Sequence, residues 1–493
     1  MIPKYFTRQV RYHEDASALF SHLDSGDDVI LLESADIASK QGLSSIAVLK
    51  ASARITCHME HVQITPLSPS GEILRDRIHS KLGEELIFPP SRAADERERL
   101  TACSSIEVLR TLQMDPGYEI EGWPFIAGGF AFDYLGSFES LPEVSDSVNT
   151  YPDYEFLVAE VLLVIDHQAQ TAELQALSLA GEDLLPVINE FAERIESASP
   201  SHPQPEPQKV LRAVADITDQ DFRDQVIELQ KHIYCGDIYQ VVPARTFTVP
   251  CPDAFAAYRV LRETNPSPYM FYVRTGGSEL FGASPESSLK FTAETRQVEL
   301  YPIAGTLPRG ADHELDIRNE LELRTNSKEI AEHTMLVDLA RNDLARVALP
   351  GTRKVAELMK VDRYSRVMHL VSRVVAELHP DFDALDAYRA CMNMGTLTGA
   401  PKLRATELLR GVEKHRRGSY GGAVGYLRGG GDMDTCIVIR SAFVCDGYAA
   451  VQAGAGVVRD SDPQAEADET LHKAYAVLHA IAASVGAELE VER

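Results

Sequence analysis

Residues 420–458, YGGAVGYLRGGGDMDTCIVIRSAFVCDGYAAVQAGAGVV, decide the fold. Two apolar runs, Tyr420–Leu427 and Asp434–Val444, flank Arg428-Gly429-Gly430-Gly431-Asp432, a pattern that predicts a β-hairpin. Ala449–Val458 is a further strand-like run, and Pro463–Ala483 reads as a closing helix. Upstream, apolar residues at helical spacing predict helices over Asp221–Tyr234 (Phe222, Val226, Leu229, Ile233) and Asn326–Leu344. Ile238–Val249 reads as a strand between them. This mixture lacks the β-α-β-α alternation of a doubly wound sheet. No G-x-G-x-x-G follows a strand and no G-x-x-x-x-G-K-[ST] occurs, so nucleotide binding is not expected. The expected class is α+β: a large mixed α/β core of sheets flanked by helices.

The segment 196–209, ESASPSHPQPEPQK, is rich in Pro and Ser and reads as an exposed linker. A chain of 493 residues is long for one core. The linker divides it into an N-terminal region, 1–195, and a longer domain, 210–493. The first has strand-like runs at Asp28–Leu32, Ile46–Ile55, Phe125–Tyr134 and Glu155–Ile165, and is expected to pack intimately on the second.

The formal net charge is −26, which repels nucleic acid and anionic membranes; neither is an expected partner. An acidic chain that binds an anionic metabolite must build a local positive site from Arg, Lys, backbone N–H groups or a metal ion. Seven cysteines without a C-x-x-C fit reduced thiols in a cytosol. The opening MIPKYFTRQVRYHED has no apolar signal-peptide core. No stretch approaches the ~18 apolar residues of a membrane helix. A cytoplasmic location is expected.

Two Glu-x-x-Glu pairs stand out. Glu329 and Glu332 share a face of one predicted helix, and Glu466 and Glu469 share a face of another. If the two faces converge they suit Mg²⁺, which takes one or two protein carboxylates and keeps several waters or substrate oxygens. The same spacing also occurs on solvated faces of acidic proteins. Three glycine-bearing segments leave backbone N–H groups open to a ligand: 302–310 with Gly305 and Thr306, 395–402 ending in Lys402, and Gly454-Ala455-Gly456. Arg440 lies inside CIVIRSAFV, where alternation puts Val438, Arg440 and Ala442 on one face. It is either paired structurally or aimed at an anion. His369, in VMHLVSRV, fits a core position or a functional one.

Taken in order, GDIYQVV, PIAGTLPRG, KEIAEHTMLVDLARND, MHLVSRV, GTLTGAPK, GGAVGY, TCIVIRSA, VQAGAGVV and EADET resemble the chorismate-utilising enzyme family. Leu31-Leu32-Glu33-Ser34 and Asn265-Pro266-Ser267-Pro268-Tyr269-Met270 resemble the tryptophan-binding motifs of its anthranilate synthases. The resemblance implies a chorismate-binding core with an effector-binding N-terminal region. It implies Glu332 and Glu469 as Mg²⁺ ligands, with Glu329 and Glu466 beside them. It implies Gly305, Thr306, Tyr420, Arg440, Gly454, Ala455, Gly456 and Lys473 as substrate-binding residues and His369 as an acid–base residue. Glu33, Ser34, Pro268, Tyr269 and Met270 would hold L-tryptophan as a feedback inhibitor.

Two positions discriminate within the family. Relatives that add water carry a Lys base where this chain has Gln240, and aminodeoxychorismate synthases carry a nucleophilic Lys where it has Ala304. Both residues imply direct attack of ammonia at C2 of chorismate, followed by loss of pyruvate to give anthranilate, the first step of tryptophan biosynthesis. Leu307 departs from the Arg common in relatives. No Cys lies in a G-x-C-x-G-type turn, so no fused glutaminase is expected; the resemblance implies a separate glutamine amidotransferase subunit, in a heterotetramer. The competing readings are an aminodeoxychorismate synthase and a catalytically decayed tryptophan-binding regulatory protein.

Overall fold

Most of the apolar runs become strands of one hydrogen-bonded network. The computed structural model describes residues 2–23, 26–35, 42–91, 93–198, 210–363 and 367–493, and 21 strands among them are linked. Those that position the sites are β1 (Val29–Ala35), β2 (Gly42–His58), β3 (Phe125–Phe130), β4 (Tyr154–Asp166), β5 (Ala244–Pro250), β6 (Tyr269–Thr275) and β7 (Ser278–Ser284). They continue with β8 (Ile303–Pro308), β9 (Val367–Glu377), β10 (Ala423–Arg428), β11 (Met433–Ile437), β12 (Ser441–Cys445) and β13 (Tyr448–Gly454). The helices that matter are α1 (Asp219–Tyr234), α2 (Ala254–Thr264), α3 (Ser327–Ala345), α4 (Lys402–Glu413) and α5 (Pro463–Ser484). The fold class is α+β, with a large, mostly antiparallel sheet.

The pairings run in a circuit. From β1 they pass through β2, β4, β3 and β10 to β11, every pair antiparallel. In the other direction they pass from β1 through β6 and β7 to β12. β11 and β12 are neighbours in the chain, joined by Val438-Ile439-Arg440, so the circuit closes on that short connection. Four consecutive strands of the circuit come from before residues 196–209 and five from after, and the two runs pair directly at β3–β10 and at β1–β6. Residues 196–197 end a helix, Leu185–Ser197, and 199–209 lie outside the described residues.

Both faces of these strands are buried. On β1, Ile30 belongs to one hydrophobic cluster while Val29 and Leu31 belong to another; on β4, Leu162 and Leu163 divide the same way. That is why the runs read as continuous rather than alternating. The second cluster is covered by α2 and α5, which contribute Tyr258, Leu261, Val477 and Ile481. Short polar caps fix where these helices begin. Asp253 accepts from the Ala256 N–H, Asp462 from the Ala465 N–H, and Thr218 with Asp221 forms a capping box. No helix among the described residues is long and apolar enough to cross a membrane.

Three strand boundaries differ from the sequence reading. Ile238–Val249 is not one strand: it divides into Gln240–Val241 and β5, because Pro243 has no N–H for a ladder. Phe125–Tyr134 stops at Phe130 and turns into a 3₁₀ helix, Phe132–Ser137. Asp434–Val444 breaks between Ile437 and Ser441. Arg440 there has φ +51°, so simple alternation does not set its direction.

Candidate functional site

The first wall of the pocket is made by α3, β8 and β9. Asn326 Oδ1 accepts the Glu329 N–H at 3.3 Å at the start of α3, which packs on β8. Gly305 has φ +81°, and a Cβ built there would stand 3.2 Å from Glu329 Oε2. Only glycine takes this backbone and leaves the carboxylate its place. One turn on, Glu332 is half-buried, and His333 is fully buried between Ala304 O at 3.3 Å and Ser372 Oγ at 2.6 Å. Thr306 pairs with His369 across β8 and β9; the Thr306 side chain lies outside the described residues. His369 makes a backbone hydrogen bond with Gly305. Burial, with Arg440 adding repulsion, pushes its pKa down to about 4. The imidazole is therefore neutral near pH 7.

The opposite wall forms where the strand circuit closes. Arg440 Nη1 donates to Lys473 O on α5 at 2.6 Å, and burial depresses the guanidinium while Tyr420 and Glu469 support it. Lys473 Nζ donates to Gly454 O at 2.9 Å and pairs with Glu469 Oε1 at 2.6 Å. A Cβ on Gly454 would stand 3.1 Å from Tyr420 Oη, and one on Gly456 would stand 2.9 Å from Gln240 Nε2. Gly454-Ala455-Gly456 is thus pinched between a phenol and an amide, which explains both glycines. The Gln240 side-chain oxygen is buried without a hydrogen-bond partner among the described residues. Arg440 brings positive charge to this wall, while that of Lys473 is met by Glu469.

Sequence reasoning missed Glu286. It follows β7 in Ser284-Pro285-Glu286-Ser287, a stretch that looks like an ordinary turn. In the fold it is buried, and Thr396 Oγ1 donates to its carboxyl at 3.3 Å. Burial raises its pKa to about 8, against Thr396, a backbone N–H and the nearby Lys473, which all draw it down. A carboxyl that keeps its proton at neutral pH is a proton donor in waiting. No spacing rule points to it; only burial does. Lys402, at the end of the 395–402 segment, turns to the protein: its Nζ is taken by Asp343 Oδ2 and Cys391 O, each at 2.7 Å.

The carboxylate pairs lie on separate helices, α3 and α5. Glu466 is buried, and Glu469 stays tied to Lys473. Among the described residues no three His, Cys, Asp or Glu side chains stand close enough together to hold a metal ion. Glu329, Glu332, Glu466 and Glu469 are oxygen donors of the kind a hard cation takes, with water and substrate oxygens completing its shell.

A second cavity, of about 90 Å³, is lined by β1, β2, β6, β10 and β11. It brings Glu33 and Ser34 together with Tyr269 and Met270, and Pro268 O accepts the Ala35 N–H at 3.4 Å. Ser34 Oγ lies 3.0 Å from Ser44 Oγ. The five residues are not equivalent. Ser34 and Tyr269 turn the same way, whereas Met270 packs in the opposite cluster and the Glu33 carboxylate is held by Arg262 at 2.9 Å and by Tyr258, both on α2. Glu33 and Met270 meet the cavity through their backbone.

Residues 83–479 match the family described as chorismate binding enzyme. The chain is 50% identical to anthranilate synthase component 1 of Vibrio cholerae, over 96% of this chain and 95% of that one. It is 50% identical to the protein of the same name from Escherichia coli, again over 96% and 95%. The crystal structure of anthranilate synthase component I from Streptococcus pneumoniae superposes with a TM-score of 0.74 at 28% identity, covering 88% of this chain and 92% of that one.

Proposed function

The chain belongs to the chorismate-binding enzyme family, and we propose that it is the subunit that converts chorismate and ammonia to anthranilate, pyruvate and water. The observation that carries this choice within the family is the pair Gln240 and Ala304. Neither position holds an amine that could activate water or attack the ring. Ammonia needs no such base. The unpartnered Gln240 oxygen, beside Gly456, is an acceptor suited to its N–H groups.

Arg440 and Lys473 hold the substrate's carboxylates, with Tyr420, Gly305, Thr306 and Gly454–Gly456 bounding the ring. Ammonia adds at C2 and the C4 hydroxyl departs. Glu286, protonated at neutral pH, gives that oxygen its proton. His369 is neutral and serves as a hydrogen-bonding wall until an anion beside it raises its basicity. Loss of the C2 proton and of pyruvate then makes the ring aromatic. Mg²⁺, held by Glu332 and Glu469 with Glu329 and Glu466 nearby, supplies charge neutralisation for the substrate's carboxylates when bound.

Residues 210–493 form the catalytic part and 1–195 the regulatory part in this reading. The cavity at Ser34 and Tyr269 takes L-tryptophan as inhibitor. A glutamine amidotransferase subunit supplies ammonia within a heterotetramer, in the cytoplasm.

The test is direct. The purified chain with chorismate, Mg²⁺ and ammonium at alkaline pH yields fluorescent anthranilate and one equivalent of pyruvate. Aminodeoxychorismate or isochorismate as the product overturns the reading. Tryptophan binding without turnover would mark a decayed regulatory protein instead.

A further inference from the structure

We propose that Asp434 is the ammonium-binding residue of the cavity at Ser34 and Tyr269, the group that makes it select an α-amino acid. This rests on reading the cavity as an effector site. Strand pairing sorts the lining by face. Ser34 stands opposite both Ser44 and Tyr269, and Leu32 stands opposite both Ile46 and Phe271. On the facing strands Tyr426 stands opposite Asp434, and Val424 opposite Cys436. These residues line one cavity. Its walls are mostly apolar, with hydroxyls clustered at Ser34 and Ser44.

Two carboxylates belong to the lining. That of Glu33 is already matched by Arg262 and Tyr258 on α2, away from the cavity. That of Asp434 accepts the Tyr269 hydroxyl at 3.2 Å, and Tyr269 itself lines the cavity. No Lys or Arg is among the described lining residues. With Glu33 matched elsewhere, the cavity presents one negative charge. An amino acid with an aromatic side chain brings three things: a ring, a carboxylate and an ammonium. The apolar walls suit the ring, and the Ser34 and Ser44 hydroxyls suit the carboxylate. The ammonium then falls to Asp434. Burial raises the Asp434 carboxyl to about 6, and Lys290 and Tyr269 draw it back only in part. Such a carboxylate gains from an arriving cation. Nothing in the catalytic proposal uses it.

The experiment measures calorimetric binding of L-tryptophan and of indole-3-propionate, which keeps the ring and carboxylate but lacks the amine. The full chain is compared with Asp434→Asn, Asp434→Glu and Ser34→Phe, each checked for an unchanged melting temperature. The wild-type chain binds tryptophan at least tenfold tighter than the analogue. Asp434→Asn abolishes that preference by weakening tryptophan alone, and Asp434→Glu, which keeps the charge, retains part of it. An Asp434→Asn protein that keeps the full preference overturns the assignment while leaving the effector site standing. Tryptophan binding that Ser34→Phe does not weaken removes the effector site itself, and the assignment with it.

Discussion

The cavity at Ser34 and Tyr269 and the pocket around Gly305 and Arg440 share a length of chain but are built in different ways. The cavity is made of strands in register: Ser34, Ser44 and Tyr269 meet because β1 pairs with β2 on one side and β6 on the other. The pocket is made of what interrupts strands. It uses a glycine at φ +81° in β8, a broken connection at Arg440, a pinched Gly454–Gly456 and two helices that approach from separate parts of the fold. A regular ladder gives a mostly apolar recess with few charges. Interruptions free backbone groups and bring Lys473 near Glu286 and Arg440 near His369. The former suits recognition of a small molecule, the latter chemistry on an anion.

Substitutions can separate the two. The largest effect is expected for Glu469→Gln, which removes a proposed ligand and the partner of Lys473. The kcat for anthranilate falls roughly 100- to 1,000-fold, while calorimetric tryptophan affinity stays put. Equal damage to both would mean that the regions are one cooperative unit. Next comes Glu286→Gln, expected to cost roughly 100-fold in kcat. In the wild-type chain the donor is Glu286 in its protonated form, present below a pKa of about 8 and lost above it. The rate per free ammonia therefore declines above pH 8. A variant that keeps this decline assigns it to another group. Ser34→Ala should be smallest. Loss of one neutral hydrogen bond, about 1 kcal/mol, raises the tryptophan concentration for half-inhibition about fivefold, read from inhibition curves at fixed chorismate.

The same contrast explains what could be read from residues alone. Tyr154–Asp166 is legible as a continuous apolar run and Ser327–Ala345 by its helical spacing. So are the Glu pairs as pairs, because spacing on one helix is local. Glu332 and Glu469 stand on different helices, α3 and α5, and spacing along one helix carries no information about the other. Arg440 stands where the strand breaks, at φ +51°, and its guanidinium bonds to Lys473 O on α5, about which alternation carries no information. Glu286 was invisible because its standing comes from burial, not from its neighbours in sequence. Asp434 reads as one end of a strand, yet it lines a cavity that also draws on residues 32–46 and 269–271, far away in the chain.

The kink at Arg440 separates folding from turnover. A non-glycine residue in the left-handed region costs about 1–2 kcal/mol. Arg440→Gly relieves that strain and gives up the bond to Lys473 O, so it should fold with a melting temperature close to the parent's while making no anthranilate. Selection for heat resistance alone would let Gly pass here, stable but inert. Position 440 is where a stability screen and an activity screen would disagree most sharply.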